Sequence, residues 1–174
     1  SLATGRDDDT DGAYTFNGSS DWIRVNHHSD LNLGDNYTLS AWIYPSSTPS
    51  GDSTVLSKAN SSGPYKLAIT SSLSLKGMWS EPGGTVIEIS GRNTSSCLVS
   101  VGEWNHIAFT KESGSANLYL NGGNCTGSCS GGSCGSTATV ETSTIDLLIG
   151  KDQGSWNKFD GKIDEIQLFS MAYG

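Results

Sequence analysis

Apolar and polar residues alternate in short runs along almost the whole chain. "DWIRV" (Asp21 to Val25) sets Trp22 and Arg24 against Ile23 and Val25. "YTLSAWIYP" (Tyr37 to Pro45) puts Leu39, Ala41 and Ile43 on one face, and Thr38, Ser40, Trp42 and Tyr44 on the other. That second face is partly apolar, as expected of a strand covered on both sides. "GEWNHIAFT" (Gly102 to Thr110) opens on a turn glycine and divides Trp104, His106, Ala108 and Thr110 from Asn105, Ile107 and Phe109. "STVLSKA", "YKLAIT", "LSLKGMW", "TVIEIS", "ANLYLNG", "IDLLIG" and "GKIDEIQLF" continue the pattern, with Gly, Asn, Ser or Pro between most of them. A period of two marks half-buried strands, and no window keeps the i, i+3, i+4, i+7 spacing of an amphipathic helix. About a dozen short strands separated by turns predict an all-β, two-sheet antiparallel sandwich.

Composition sharpens this picture. The 174 residues suffice for one domain, 34% are hydrophobic, and 22 are glycine, as suits a turn-rich chain. A formal charge of -8 disfavours a phosphate backbone, so no nucleic-acid partner is expected. No apolar run reaches the roughly 20 residues of a membrane-spanning helix, so no membrane insertion is expected. With no signal peptide and no initiator Met, the chain is expected to be a mature fragment or an excised domain.

Four cysteines, Cys97, Cys125, Cys129 and Cys134, sit in a polar chain, three of them within "NCTGSCSGGSCGS". C-x3-C-x4-C without a CxxC pair or a nearby His is poor zinc chemistry. An even count favours two disulfides and an extracellular or cell-surface setting. Three pairings are open. The sequence does not choose among them; each joins Cys97 to the loop and pairs the remaining two loop cysteines. Sequons at Asn17, Asn36, Asn60, Asn93 and Asn124 bear on the protein only in a eukaryotic source.

"AYTFNGSSDWIRVNHHSDLNLGDNYTLSAWIYP", "GEWNHIAFTK", "LYLNG" and "FDGKIDEIQLFSMA" occur in an order that resembles a laminin G-like domain of the concanavalin A-like lectin/glucanase superfamily. The resemblance spans Ala13 to Ala172. It implies a jelly-roll sandwich over residues 13–174, with residues 1–12 a truncated first strand and an acidic loop. It also implies a non-catalytic recognition module of a larger secreted or surface protein, and often a structural calcium.

The residues themselves give little to an enzyme. Related glucanases carry carboxylates at alternate strand positions, which face one cleft. Here Asp164 and Glu165 are adjacent and are expected to point to opposite faces, so no catalysis is expected. "GGSCG" matches G-x-S-x-G without the strand and helix that motif needs. His27 and His28 read as surface residues, and His106 as a packing or hydrogen-bonding one.

For calcium, Asp7, Asp9, Asp11 and Gly12 begin a D-x-D-x-D-G loop, but position twelve is Gly18 rather than Glu, which excludes an EF-hand. A solvated acidic loop is the simpler expectation. The resemblance places calcium instead at Asp164 with Asn17 and Gly18. The competing expectation is a hydrogen bond from a neighbouring turn's backbone amide to Asp164.

For sugars, ring faces and planar polar side chains are the needed chemistry. The resemblance makes Trp42 and Trp104 packing residues. Trp156, Trp79 and Tyr65 are the expected ligand-facing rings, with Asp152, Gln153 and Asn157 as polar partners. A glycan or cell-surface ligand is the expected partner. The alternatives are a protein-binding or oligomerising adhesion domain, such as a homo-oligomer formed through the parent protein, and a degenerate glycoside hydrolase.

Overall fold

A computed structural model describes residues 1–154 and 158–173. Its strands are β1 (Leu2–Ala3), β2 (Ala13–Asn17), β3 (Ile23–Val25), β4 (Tyr37–Pro45), β5 (Ser53–Ser57), β6 (Lys66–Ile69) and β7 (Leu75–Glu81). They continue as β8 (Thr85–Gly91), β9 (Asn105–Glu112), β10 (Ser115–Leu120), β11 (Gly123–Asn124), β12 (Thr126–Ser130), β13 (Leu147–Ile149) and β14 (Asp160–Phe169). Two seven-stranded sheets result, one ordered β1-β2-β14-β4-β9-β10-β11 and the other β12-β8-β7-β6-β5-β13-β3. All paired strands are antiparallel. The two-sheet antiparallel sandwich expected from the alternation, and the jelly roll implied by the resemblance, are therefore the observed architecture.

The core lies between the sheets and follows the period of two. Leu39, Ala41 and Ile43 of β4 and Ile107 and Phe109 of β9 point inward from the first sheet. Leu67 and Ile69 of β6, Leu75 and Trp79 of β7, and Ile87 and Ile89 of β8 meet them from the second. Tyr37, Tyr65, Phe109 and Trp79 form a run of ring contacts at 5.7 to 6.1 Å. Burying each such side chain stabilises the fold by roughly 1.5–3 kcal/mol. Gly77 faces Phe109 across the sheets, and a β-carbon there would lie 2.9 Å from the ring, so the Phe109 ring fits against β7 only because this residue has no side chain.

The two disulfides are Cys97–Cys125 and Cys129–Cys134, one of the three pairings the sequence left open. Cys97 and Cys125 lie in the core, and Cys125 sits where the chain passes from β11 in one sheet to β12 in the other. The bridge thus fixes the crossing between the layers. Cys129–Cys134 closes the exposed turn that follows β12. Lys58 and Lys111 are fully buried, with Lys58 Nζ 2.9 Å from His27 Nδ1 and Lys111 Nζ donating to the Glu112 carbonyl at 3.2 Å. Burial lowers the pKa of both amines, because the charged form loses water. His27 is accordingly a buried lysine's partner rather than only a surface residue.

Candidate functional site

The outward face of β4, β9, β10 and β14 carries a cluster of aromatic side chains. It follows directly from strand register. Paired residues share a face, so each cross-strand row can be read off the ladder. One row runs Asp164, Trp42, His106. The next runs Gln167, Ser40, Ala108, Tyr119. The third runs Phe169, Thr38, Thr110, Asn117. Small residues occupy the middle of this face and rings its margins.

The outcome is a groove of about 340 Å³ lined by Thr38, Ser40, His106, Ala108, Tyr119, Gly122, Gln167, Phe169 and Tyr173. Thr38, Ser40 and Ala108 form its floor. Tyr119 stands on one side. Phe169 and Tyr173 meet edge to face at 5.1 Å on the other. The wall is pinned by Thr38, whose Oγ1 donates to the Met171 carbonyl and accepts from the Tyr173 amide, both at 2.9 Å. At the far end Trp42 and His106 pack at 5.2 Å, and Tyr44 and Trp104 extend the row of rings at 5.6 Å. Burial lowers the His106 pKa; Glu165 pulls against that shift and Arg6 works with it. Burial thus favours the uncharged imidazole, which has one nitrogen to donate and one to accept.

A bulge makes the groove's β14 side. From Asp164 to Gln167 there are three steps on β14 against two on β4, so one residue is extra. Glu165 takes a left-handed φ of 46° there. In a regular strand Asp164 and Gln167 would face opposite ways; the bulge turns both outward. It also overturns the expectation that Asp164 and Glu165 point apart. Both bind Arg6: its backbone N–H donates to Asp164 Oδ2 at 3.0 Å, and its guanidinium donates to Glu165 Oε1 at 3.0 Å. The same guanidinium lies 4.7 Å from the Trp42 ring centroid, so the acidic loop is strapped to the end of the groove.

The cation positions divide. Asp164 accepts a backbone amide from a neighbouring turn, as the simpler expectation had it. Asn17 and Gly18 do not join it. Asn17 pairs with Asp160, four residues from Asp164 along β14, or roughly 13 Å at strand rise. The Asn17 side-chain oxygen is occupied by the amides of Ser19, Ser20 and Asp21. Within the acidic loop Asp7 pairs with Arg6 at 2.7 Å, and Asp11 has a left-handed φ of 62°. Asp9 alone folds inward, into room left by Gly5 and Gly12. A methyl group built on Gly5 would lie 2.2 Å from Asp9 Oδ1 and 2.9 Å from Asp164 Oδ2, so these two carboxylates converge. Among the described residues no group of three or more His, Cys, Asp or Glu side chains surrounds a metal-sized space.

Two of the three expected sugar-facing rings, Trp79 and Tyr65, are not where a sugar can reach them. Trp79 and Tyr65 are both 0% exposed. Trp79 packs on Phe109, and the Tyr65 hydroxyl donates to the Leu31 carbonyl at 2.9 Å. β7 and β6 turn these rings into the core, so they are packing residues. Asp152 is buried beside Lys66 at 3.7 Å and accepts the Gly154 amide, and Gln153 donates to the Asp146 carbonyl. Both shape their own loop. Trp156 and Asn157 lie outside the described residues. Conversely Trp42 and Trp104, expected to pack in the core, stand half-buried on the outer face. The outward positions of β4 and β9 carried the signal: Trp42, Tyr44, Trp104 and His106 alternate with the core residues.

A larger cleft of about 660 Å³ opens at one end of the sandwich, between Asn17–Ser19, the Ser47–Ser53 turn and Lys158–Asp160. Its described lining is hydroxyls, Asp52, Asp160 and Lys158, with no aromatic ring. Its described lining therefore offers no stacking surface of the kind the groove has.

Comparison with known proteins agrees with this architecture. A laminin G-type family model, described as the concanavalin A-like lectin/glucanases superfamily, matches residues 17–173. No curated protein matches the sequence. Among solved structures, the Ruminococcus gnavus IT-sialidase CBM40 bound to α2,3-sialyllactose is similar with a TM-score of 0.71 at 11% identity, over 93% of this chain and 91% of that one. Domain 4 of AbnA, a GH43 extracellular arabinanase from Geobacillus stearothermophilus, in complex with arabinotriose, has a TM-score of 0.64 at 20% identity, over 99% and 76%. The receptor-binding domain of botulinum neurotoxin mosaic serotype C/D has a TM-score of 0.69 at 18% identity, over 95% of this chain and 40% of that one. At these identities the likeness is one of fold.

Proposed function

The chain belongs to the concanavalin A-like lectin/glucanase superfamily, and we propose that within it this chain is a non-catalytic carbohydrate-binding module of a secreted or surface protein. The observation that carries this reading is the groove itself: a small-residue floor between aromatic walls, with the polar side chains of Gln167, Ser40 and His106 in its lining. Tyr119 and the Phe169–Tyr173 pair offer apolar ring faces to the C–H surface of a sugar, and the polar groups take its hydroxyls. The volume suits one or two sugar rings. That two solved neighbours of the same fold hold oligosaccharides supports the ligand class.

No carboxylate lines the groove, whereas glycoside hydrolysis uses a pair flanking the scissile bond. This supports binding without turnover. The two disulfides support an oxidising, extracellular setting, and among the described residues no helix is long and apolar enough to cross a membrane.

Calcium, in this reading, belongs where Asp9 and Asp164 converge. Both donors are hard carboxylates of the kind calcium takes; no hydrogen bond engages the Asp9 carboxylate among the described residues, whereas the Asp164 oxygens each accept a backbone amide, so carbonyls and water would have to complete the shell. A bound cation there would offset the repulsion of the two carboxylates and hold the acidic loop against the sheet.

A glycan array, read with wild-type protein and with Tyr119→Ala, tests the binding reading. Signal that disappears in a variant with an unchanged thermal midpoint is the expected result. Undiminished sugar binding by Tyr119→Ala, or release of reducing ends from any bound glycan, would overturn it.

A further inference from the structure

None of the nine residues that line the groove is Asp, Glu, Lys or Arg. Its one imidazole, His106, is disfavoured by burial in the charged form. The polar groups available to a ligand are the Gln167 amide, the Ser40 hydroxyl and the His106 ring. Each of these side chains can both donate and accept a hydrogen bond without carrying charge. A sugar hydroxyl has the same dual character. A carboxylate or sulfate only accepts, and it brings a full negative charge.

The cations around the groove are matched or distant. At the Trp42 end, the Arg6 guanidinium binds Asp7 at 2.7 Å and Glu165 at 3.0 Å. Asp164, which accepts the Arg6 backbone amide, adds a third acid at that end. A divalent cation between Asp9 and Asp164 would neutralise those two carboxylates and leave Arg6 still matched by Asp7 and Glu165. Lys162 pairs in register with Tyr44, and its ammonium lies 5.2 Å from that ring centroid. Tyr44 is four residues from Ser40 along β4, or roughly 13 Å at strand rise. That exceeds the Debye length of about 8 Å at physiological salt. The chain as a whole carries a formal charge of -8, so no wider positive field reaches the groove.

We infer that the groove takes uncharged saccharides and excludes acidic ones. The inference rests on the reading of the groove as a sugar site and names the class of sugar. An acidic group entering between Tyr119 and the Phe169–Tyr173 pair sheds water and meets no cation in return. It also approaches the excess of carboxylates at the Trp42 end. A neutral ring loses much less, because its hydroxyls exchange water for Gln167, Ser40 and His106. The discrimination comes from what the acidic sugar forfeits, not from an extra contact to the neutral one.

An array of matched mono- and disaccharides tests this. Each uncharged sugar is printed beside the same sugar carrying a uronic acid, sialic acid or sulfate, and all are small enough that the acid must enter the groove. The expected result is signal at uncharged members, at least about tenfold weaker at their acidic partners, and lost in Tyr119→Ala. The signal should hold between about 0.05 and 0.5 M salt, because no ion pair forms. Gln167→Lys brings a cation to an exposed position of the lining and should raise the acidic signal relative to the uncharged one, a gain that misfolding does not produce. Acidic signal equal to or above the uncharged signal in the wild type, and lost in Tyr119→Ala, would overturn this inference and leave the groove a sugar site. Signal at neither class, or signal that Tyr119→Ala leaves intact, would remove the sugar reading of the groove and this inference with it.

Discussion

Ser40 and Ala108 lie directly opposite one another on β4 and β9, and their small side chains leave the space between Tyr119 and Phe169 open. The groove is a consequence of what these two residues lack. Ala108→Phe should therefore fill it. Because the new ring points outward, it displaces no core atom, and stability should change by less than about 1 kcal/mol. Sugar affinity by titration calorimetry should fall at least about tenfold, the loss of roughly 1.4 kcal/mol of stacking. Unchanged affinity would place the sugar elsewhere.

Gly77 and Phe109 make the complementary case on the inner face. Gly77→Ala drives a methyl group to 2.9 Å from both Phe109 and Ile89. Overpacking of this kind costs about 1–3 kcal/mol. A lowered urea midpoint with an unchanged slope is the expected reading.

The disulfides should contribute unequally. Cys97–Cys125 spans 28 residues and Cys129–Cys134 only 5. Loop-closure entropy gives about 4 kcal/mol for the first and about 2 kcal/mol for the second. Paired Cys→Ala variants compared by denaturant unfolding check the order. The exposed Cys129–Cys134 bridge should also be reduced first by a mild thiol, because Cys97 and Cys125 are shielded in the core.

His106 gives the protein a pH dependence with a definite sign. Its folded pKa lies below the ordinary value, chiefly through burial. Below about pH 6.5 the unfolded chain takes up a proton that the folded chain does not. Its contribution to stability is thus fully present above that pH and is lost as pH falls from there towards the lowered folded value. His106→Gln should flatten the thermal midpoint across that window relative to wild type. Equal slopes in the two proteins would remove His106 from the account.

Calcium at Asp9 and Asp164 predicts that a chelator lowers the thermal midpoint of the wild type and leaves Asp9→Asn unmoved. A shift retained by Asp9→Asn but lost in Asn17→Ala would move the cation to the other end of β14.

The rest turns on what alternation can and cannot encode. A period of two is a local property of the chain, so the strands, the inward set Leu39, Ala41, Ile43, Ile107 and Phe109, and hence the sandwich could be read from the sequence. The family was legible as well, and so was the presence of two disulfides, though not which cysteines pair. Which tryptophan meets solvent was not. Trp79 and Trp42 look alike in sequence, yet β7 turns one into the core and β4 turns the other out, because facing depends on where a strand sits between the layers. The rows that build the groove join residues 38–42, 106–110, 119 and 167–173, and only strand register places them side by side. One extra residue at Glu165 then reverses the parity of β14 and brings Gln167 to the groove. Alternation fixed the layers because hydrophobic burial acts residue by residue; the site needed the tertiary structure because it is made of contacts between strands far apart in the chain.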